Sequence, residues 1–143
     1  MVSLNHFKEF IAPYNQKVLD CAHEQGLKVV GDSDGNLWNI LDTLIEMGYD
    51  GLNPLESQAG MELKKVKDYC RNKLCLLGNI DCGDLLCSGS AEEVETAVVQ
   101  AIEDAAPEGG YVLCSSNSIH PGVKAENFLT MIKAAKKYGQ YEE

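Results

Sequence analysis

Leu74-Cys75-Leu76-Leu77-Gly78-Asn79-Ile80-Asp81 runs from four apolar residues into a polar loop, and helical spacing follows it. Three other stretches repeat the arrangement: Val29-Val30-Gly31-Asp32-Ser33-Asp34-Gly35-Asn36, Gly51-Leu52-Asn53-Pro54-Leu55-Glu56 and Tyr111-Val112-Leu113-Cys114-Ser115-Ser116-Asn117-Ser118. The chain therefore repeats a βα unit four times and collects its polar residues at the carboxyl ends of the strands. Parallel α/β folds keep their chemistry at that end.

Working outward, the strands are expected at Leu27 to Gly31, Asp50 to Asn53, a third ending at Gly78, and Gly110 to Cys114. They read as apolar throughout, the pattern of a parallel sheet buried on both faces. A helix precedes the first strand, with Phe7, Phe10, Ile11, Tyr14, Val18 and Cys21 on one stripe and Gly26 as its terminator. A second helix turns Leu37, Ile40, Leu41, Leu44 and Ile45 inward, starts from an Asp34 or Asn36 cap and stops at Gly48. Leu63, Val66, Tyr69 and Cys70 mark a third. Ser90-Ala91-Glu92-Glu93 is a capping box opening a helix with Val94, Ala97, Val98, Ala101, Ile102 and Ala105 inside. Phe128, Leu129, Ile132, Ala135 and Tyr138 mark the last, before Gly139 and an acidic tail.

The order is α-(βα)4. It fits a small doubly wound sheet or one half of a (β/α)8 barrel, and periodicity alone does not separate them. Two carboxylates after the first strand, Asp32 and Asp34, would repel a pyrophosphate, which argues against a dinucleotide site.

The 143 residues, 45% hydrophobic and without a linker or low-complexity tract, read as one domain over residues 1–143. A net charge of -10 opposes binding to nucleic acid or to anionic membranes, leaving small molecules and proteins as partners. No apolar run approaches the roughly 20 residues that span a bilayer, and the N-terminus lacks the layout of a secretion signal, so a cytoplasmic location is expected. Six cysteines without a C-x-x-C pair suggest reduced thiols rather than a disulfide framework or zinc knuckle. No cofactor and no metal are called for by these residues.

From Asp32 to the C-terminus the chain resembles the uroporphyrinogen decarboxylase superfamily, which includes cobalamin-dependent methyltransferases acting on thiols. The carriers are Asp32-Ser33-Asp34-Gly35-Asn36, Gly51-Leu52-Asn53-Pro54-Leu55-Glu56, Gly78-Asn79-Ile80-Asp81, Gly109-Gly110-Tyr111-Val112-Leu113, Ser115-Ser116-Asn117-Ser118-Ile119 and Glu126-Asn127. The resemblance implies a (β/α)8 barrel of which these segments form strands five to eight. It also implies a carboxy-lyase whose proton-delivering acid and substrate-clamping arginines lie in the other half, so the catalytic residues are unknown here. Where zinc-dependent relatives carry His-x-Cys-Gly and a later Cys, this chain has Asp32, Asp34 and Asn117. Those oxygen donors suit Mg2+, Ca2+ or hydrogen bonding better than a thiol-activating zinc. The decarboxylases commonly place a His where Asn117 stands, and His120 cannot be assumed to replace it.

The expected ligand-contacting residues are Asp32, Asp34, Asn53, Glu56, Asn79, Asp81, Ser115, Asn117 and His120. All but Asn53 also have a plainer reading. Asp34 can be a helix cap, Asp81 and Asn79 an Asx-turned loop, Glu56 a helix-dipole partner, and the serine run a polar loop. Three functional readings stay open: a decarboxylase-like half-barrel that binds a small polar ligand and is incomplete alone, a corrinoid-dependent methyltransferase component, and a non-catalytic binding module. A half-barrel leaves two sheet edges and its inner face uncovered, so a homodimer or a separate N-terminal half-barrel chain is the expected partner.

Overall fold

A computed structural model describes residues 2–140. The acidic tail expected after Gly139, with Glu142 and Glu143, lies outside the described residues. Helix α1 (Leu4–His6), a π-helical turn (Phe7–Ile11) and α2 (Ala12–Glu24) lead into β1 (Val30–Asp32), α3 (Leu41–Met47) and β2 (Gly51–Asn53). A short 3-10 turn (Ser57–Ala59), α4 (Leu63–Cys70), β3 (Cys75–Ile80), α5 (Leu85–Ser88), α6 (Ala91–Ala105), β4 (Tyr111–Ser115) and α7 (Ala125–Tyr138) complete the chain.

All strand pairs are parallel and the spatial order is β1-β2-β3-β4. That order decides between the two architectures. A doubly wound sheet reverses its order at a switch point, whereas a barrel adds each strand beside the last. The four units are one half of a TIM-barrel-like fold.

The core lies between sheet and helices, where Leu52, Leu76 and Ile80 of the strands join Val66, Val94, Val98 and Met131. The expectation of a sheet buried on both faces is corrected: Val30 and Val112 are 45% and 48% exposed. The strands also carry polar residues, Asp32 and Asn53 among them, because their carboxyl ends need no apolar cover.

The first strand begins three residues later than the sequence suggests. The Asp50 carboxylate accepts the Lys28 ammonium at 2.8 Å, the Val29 N–H at 2.8 Å and His23 Nε2 at 2.9 Å. Those bonds tie down the approach to β1, and ladder pairing begins at Val30 with Gly51. The third strand runs two residues past Gly78, to Ile80. Gly78 has φ +145°, and a Cβ there would run into the Pro54 carbonyl oxygen. Both the Asn53–Pro54 and the Gly78–Asn79 peptides are cis.

Two helical stripes are rotated from their expected positions. The π-helical turn adds a residue to its turn and swings the following face round. Phe10, Tyr14 and Val18 are consequently exposed while Phe7 and Leu19 are buried. In α7 the fully buried line is Asn127, Met131 and Ala134; of the expected stripe, Phe128, Ile132 and Ala135 pack against the core, while Leu129 and Tyr138 are exposed. Asn127 is fully buried within that line. Its amide donates to the carbonyls of Leu85, Leu86 and Gly89 at 3.4, 3.2 and 2.9 Å, holding α5 against α7.

Candidate functional site

The loops at the carboxyl ends of the strands carry the polar residues that the sequence singles out. In register at the ends of β1 and β2 stand Asp32 and Asn53. Asn53 donates its amide to Asp32 Oδ2 at 2.5 Å and accepts the Cys114 thiol of β4 on Oδ1 at 3.5 Å. Burial first, and then the negative charge of Asp32, push the Cys114 thiol up, so it stays a protonated donor.

A second set spans from the first strand to the fourth. Asn117 donates its amide to Asp34 Oδ1 at 3.1 Å, linking the loop after β4 to the loop after β1. Asn117 is itself posed by its neighbours: Ser115 Oγ donates to its carbonyl at 2.7 Å and its Oδ1 accepts the Ser118 N–H at 2.7 Å. The curled sheet thus brings its two outermost loops together.

The loop after β1 is braced from the side. Glu56 Oε2 accepts the Gly35 N–H at 2.7 Å, Asn36 donates to the Ala59 carbonyl at 2.9 Å, and Trp38 Nε1 donates to the Gly60 carbonyl at 3.0 Å. The expected cap is corrected: α3 starts at Leu41 with Ile40 as its N-cap and no side-chain bond there, and Asn36 instead accepts the Trp38 N–H at 3.2 Å in the preceding turn. This laced loop roofs a cavity of about 420 Å³ between the N-terminal helices and α3. Phe7, Ile11, Leu44 and Leu52 wall it, and Asp32 and Asp34 lie along its polar side. That volume and mixed lining suit a small molecule.

Three of the expected residues stand elsewhere. Asp81 is fully engaged with its own loop: Oδ1 accepts the Gly83 N–H at 2.9 Å, and Oδ2 accepts Asp84 N–H, Leu85 N–H and Gln58 Nε2, each at 3.0 Å. Burial alone would raise Asp81, but the N–H groups of Leu85, Gly83 and Asp84, with Gln58, hold it below the usual carboxylate range. Asn79 donates to the Met61 carbonyl at 3.3 Å and lines a groove with Leu63, Ala97 and Asp104. His120 packs on the α5 side, beside Cys82 and Cys87.

Sequence reasoning passes over Cys114, Gln58 and Trp38. Only Cys114 leaves a signal, because it closes the fourth expected strand, on the level where polar contacts begin. Gln58 and Trp38 act through loop folding that no periodicity encodes. Among the described residues, no three of His, Cys, Asp and Glu are grouped so as to hold a metal ion. No helix among them is long and apolar enough to cross a membrane.

Comparison with known proteins places this geometry in a lineage. The family model described as uroporphyrinogen decarboxylase (URO-D) matches residues 1–138. The chain is 29% identical over 140 residues to a uroporphyrinogen decarboxylase from Thioalkalivibrio sulfidiphilus (strain HL-EbGR7), covering 93% of this chain and 37% of that protein. A solved methyltransferase from Methanosarcina mazei superposes with a TM-score of 0.80 at 24% identity, over 98% of this chain and 39% of that one, a likeness of fold. The chain spans less than two fifths of the length of either relative.

Proposed function

Because the chain belongs to the uroporphyrinogen decarboxylase family, we propose that it is the ligand-binding C-terminal half of a decarboxylase-like barrel, incomplete as a catalyst on its own. It takes a small polar molecule at the strand ends and completes the barrel with a second copy of itself or with a separate N-terminal half. The observation that carries this reading is the pair of neighbouring clusters, Asp32–Asn53–Cys114 and Asp34–Asn117, which unite five strand-end residues from three strands and their loops.

The chemistry of the clusters narrows the ligand. Asp32, Asp34 and Glu56 keep a carboxylate oxygen beyond the bonds described, and among the described residues no Lys or Arg bonds to any of the three. A ligand rich in hydrogen-bond donors or carrying an amine matches them, whereas a polycarboxylate would need cations from the completing half. The one arginine, Arg71, caps α4 at the opposite end of the sheet.

A thiol-activating zinc does not fit these residues. Asp32, Asp34 and Asn117 are oxygen donors, and the Cys114 thiol is already directed to the Asn53 amide oxygen. No step is therefore assigned to that metal.

Two measurements test the reading. Light scattering of the purified chain should give the mass of a dimer or larger assembly, and a monodisperse monomer would overturn the barrel-completing part. Thermal-shift screening against small amines and hydroxylated acids should yield compounds that stabilise the chain but not an Asp34→Ala/Asn117→Ala variant. Compounds that stabilise both equally, or none that stabilise either, would overturn the ligand site.

A further inference from the structure

Away from those clusters, the loop after β3 and the loop after β4 bring a cysteine and a histidine together. Cys87, in α5, is half-buried, and its Sγ lies 3.7 Å from His120 Nε2. Both groups point at one acceptor: the Cys87 thiol and His120 Nε2 each lie 3.2 Å from the Cys82 carbonyl oxygen. We infer that Cys87 is a thiol-exchange site, its sulfur anion held by the Nε2–H of His120, and that it takes a small-molecule disulfide as its partner.

The tautomer of His120 carries the inference. The Gly122 N–H donates to Nδ1 at 3.1 Å, so in the neutral ring Nδ1 is bare and Nε2 holds the proton. Binding a metal through Nε2 would require the proton on Nδ1, facing the Gly122 N–H, and two donors would then oppose each other. The ring is built to donate from Nε2. When Cys87 loses its proton, its sulfur is repelled by the Cys82 carbonyl oxygen it had bonded, and the N–H beside it becomes its natural donor.

The ring is also fixed in place. A Cβ on Gly122 would come within 2.9 Å of His120 Cε1, so glycine lets the backbone lie against the imidazole. The Cys82 carbonyl is set by its own residue, whose N–H donates to buried Ser116 Oγ at 3.2 Å. Lys124 places its ammonium on the Ser88 and Gly89 carbonyls at 3.1 and 3.2 Å, adding positive charge next to the end of α5.

The exchange is a simple displacement. The Cys87 thiol gives its proton to water, and its thiolate attacks one sulfur of the disulfide. A new S–S bond forms as the old one breaks, and the departing thiolate takes up a proton. The Cys87 sulfur is oxidised and the leaving sulfur reduced, so no further oxidant is needed.

The test incubates the full chain with glutathione disulfide and follows all six cysteines by peptide mass spectrometry. Cys21, exposed on α2, serves as an internal reference. Cys87 should form the mixed disulfide about tenfold faster than Cys21 despite being less exposed. His120→Phe should bring Cys87 down to the Cys21 rate, and His120→Gln, which restores an N–H donor, should recover part of the advantage. Equal rates at Cys87 and Cys21 in the unaltered chain would overturn the inference. So would a His120→Phe chain in which Cys87 keeps its full rate, or a His120→Gln chain that regains none of it. Circular dichroism establishes which variants are folded, and if the Phe variant is not, His120→Leu takes its place in the same comparison.

Discussion

Asp81 shows how one side chain at a strand end can be consumed by its own backbone. Its carboxylate accepts three successive loop N–H groups and the Gln58 amide. Asp81→Ala leaves those donors without their acceptor and is expected to lower unfolding free energy by about 2–3 kcal/mol in urea denaturation. Asp81 and Asp50 are both held below the usual carboxylate range in the folded chain, Asp50 chiefly by Lys28 and then by the Val29 N–H and His23. Their folded-state stabilisation is therefore full above the unfolded carboxylate value near pH 4 and is lost as pH falls through the lower folded values. The urea midpoint should hold steady from neutral pH to about pH 5 and drop below about pH 4, with a smaller drop in Asp50→Asn. A sequence marks Asp81 as polar and well placed. It does not reveal which way the carboxylate faces, because a turn at Gly83 brings the backbone donors round to it.

At the scale of the element, legibility follows the range of the interaction. The capping box is readable at Ser90 and is present: Ser90 Oγ accepts the Glu93 N–H at 3.2 Å and Glu93 Oε2 accepts the Ser90 N–H at 2.7 Å. Ser90→Ala should cost about 1 kcal/mol and lower the melting temperature by roughly 2–4 °C, measurable by circular dichroism. The inward line of α6, with Val94, Val98, Ala101 and Ala105 buried, is equally plain from spacing. The faces of α2 and α7 are not. One depends on a π-helical turn that offsets the period, and the other includes a buried asparagine that a hydrophobic pattern counts as surface. Strand ends are blurred for a similar reason, since the Asp50 tie that delays β1 joins residues far apart in sequence.

For the whole molecule, the alternation of strands and helices predicts α-(βα)4, but only the spatial order of the strands separates half a barrel from an open doubly wound sheet. Strand order is a long-range property, and local periodicity carries no record of it. The same limit applies to the site: Asp32 and Asn53 can be paired from strand register, while the meeting of Asp34 with Asn117, across 83 residues, cannot. That meeting has a mechanical meaning. The four strands form an arc, and the Asp34–Asn117 bond is a chord drawn between its ends. A chord of set length fixes the curvature of its arc, so the four strands are held as a trough already bent to shape instead of a ribbon free to roll. Cutting the chord with Asn117→Ala should let the arc flex, and spin labels on the loops after β1 and β4 should then report a broader spread of distances than in the unaltered chain.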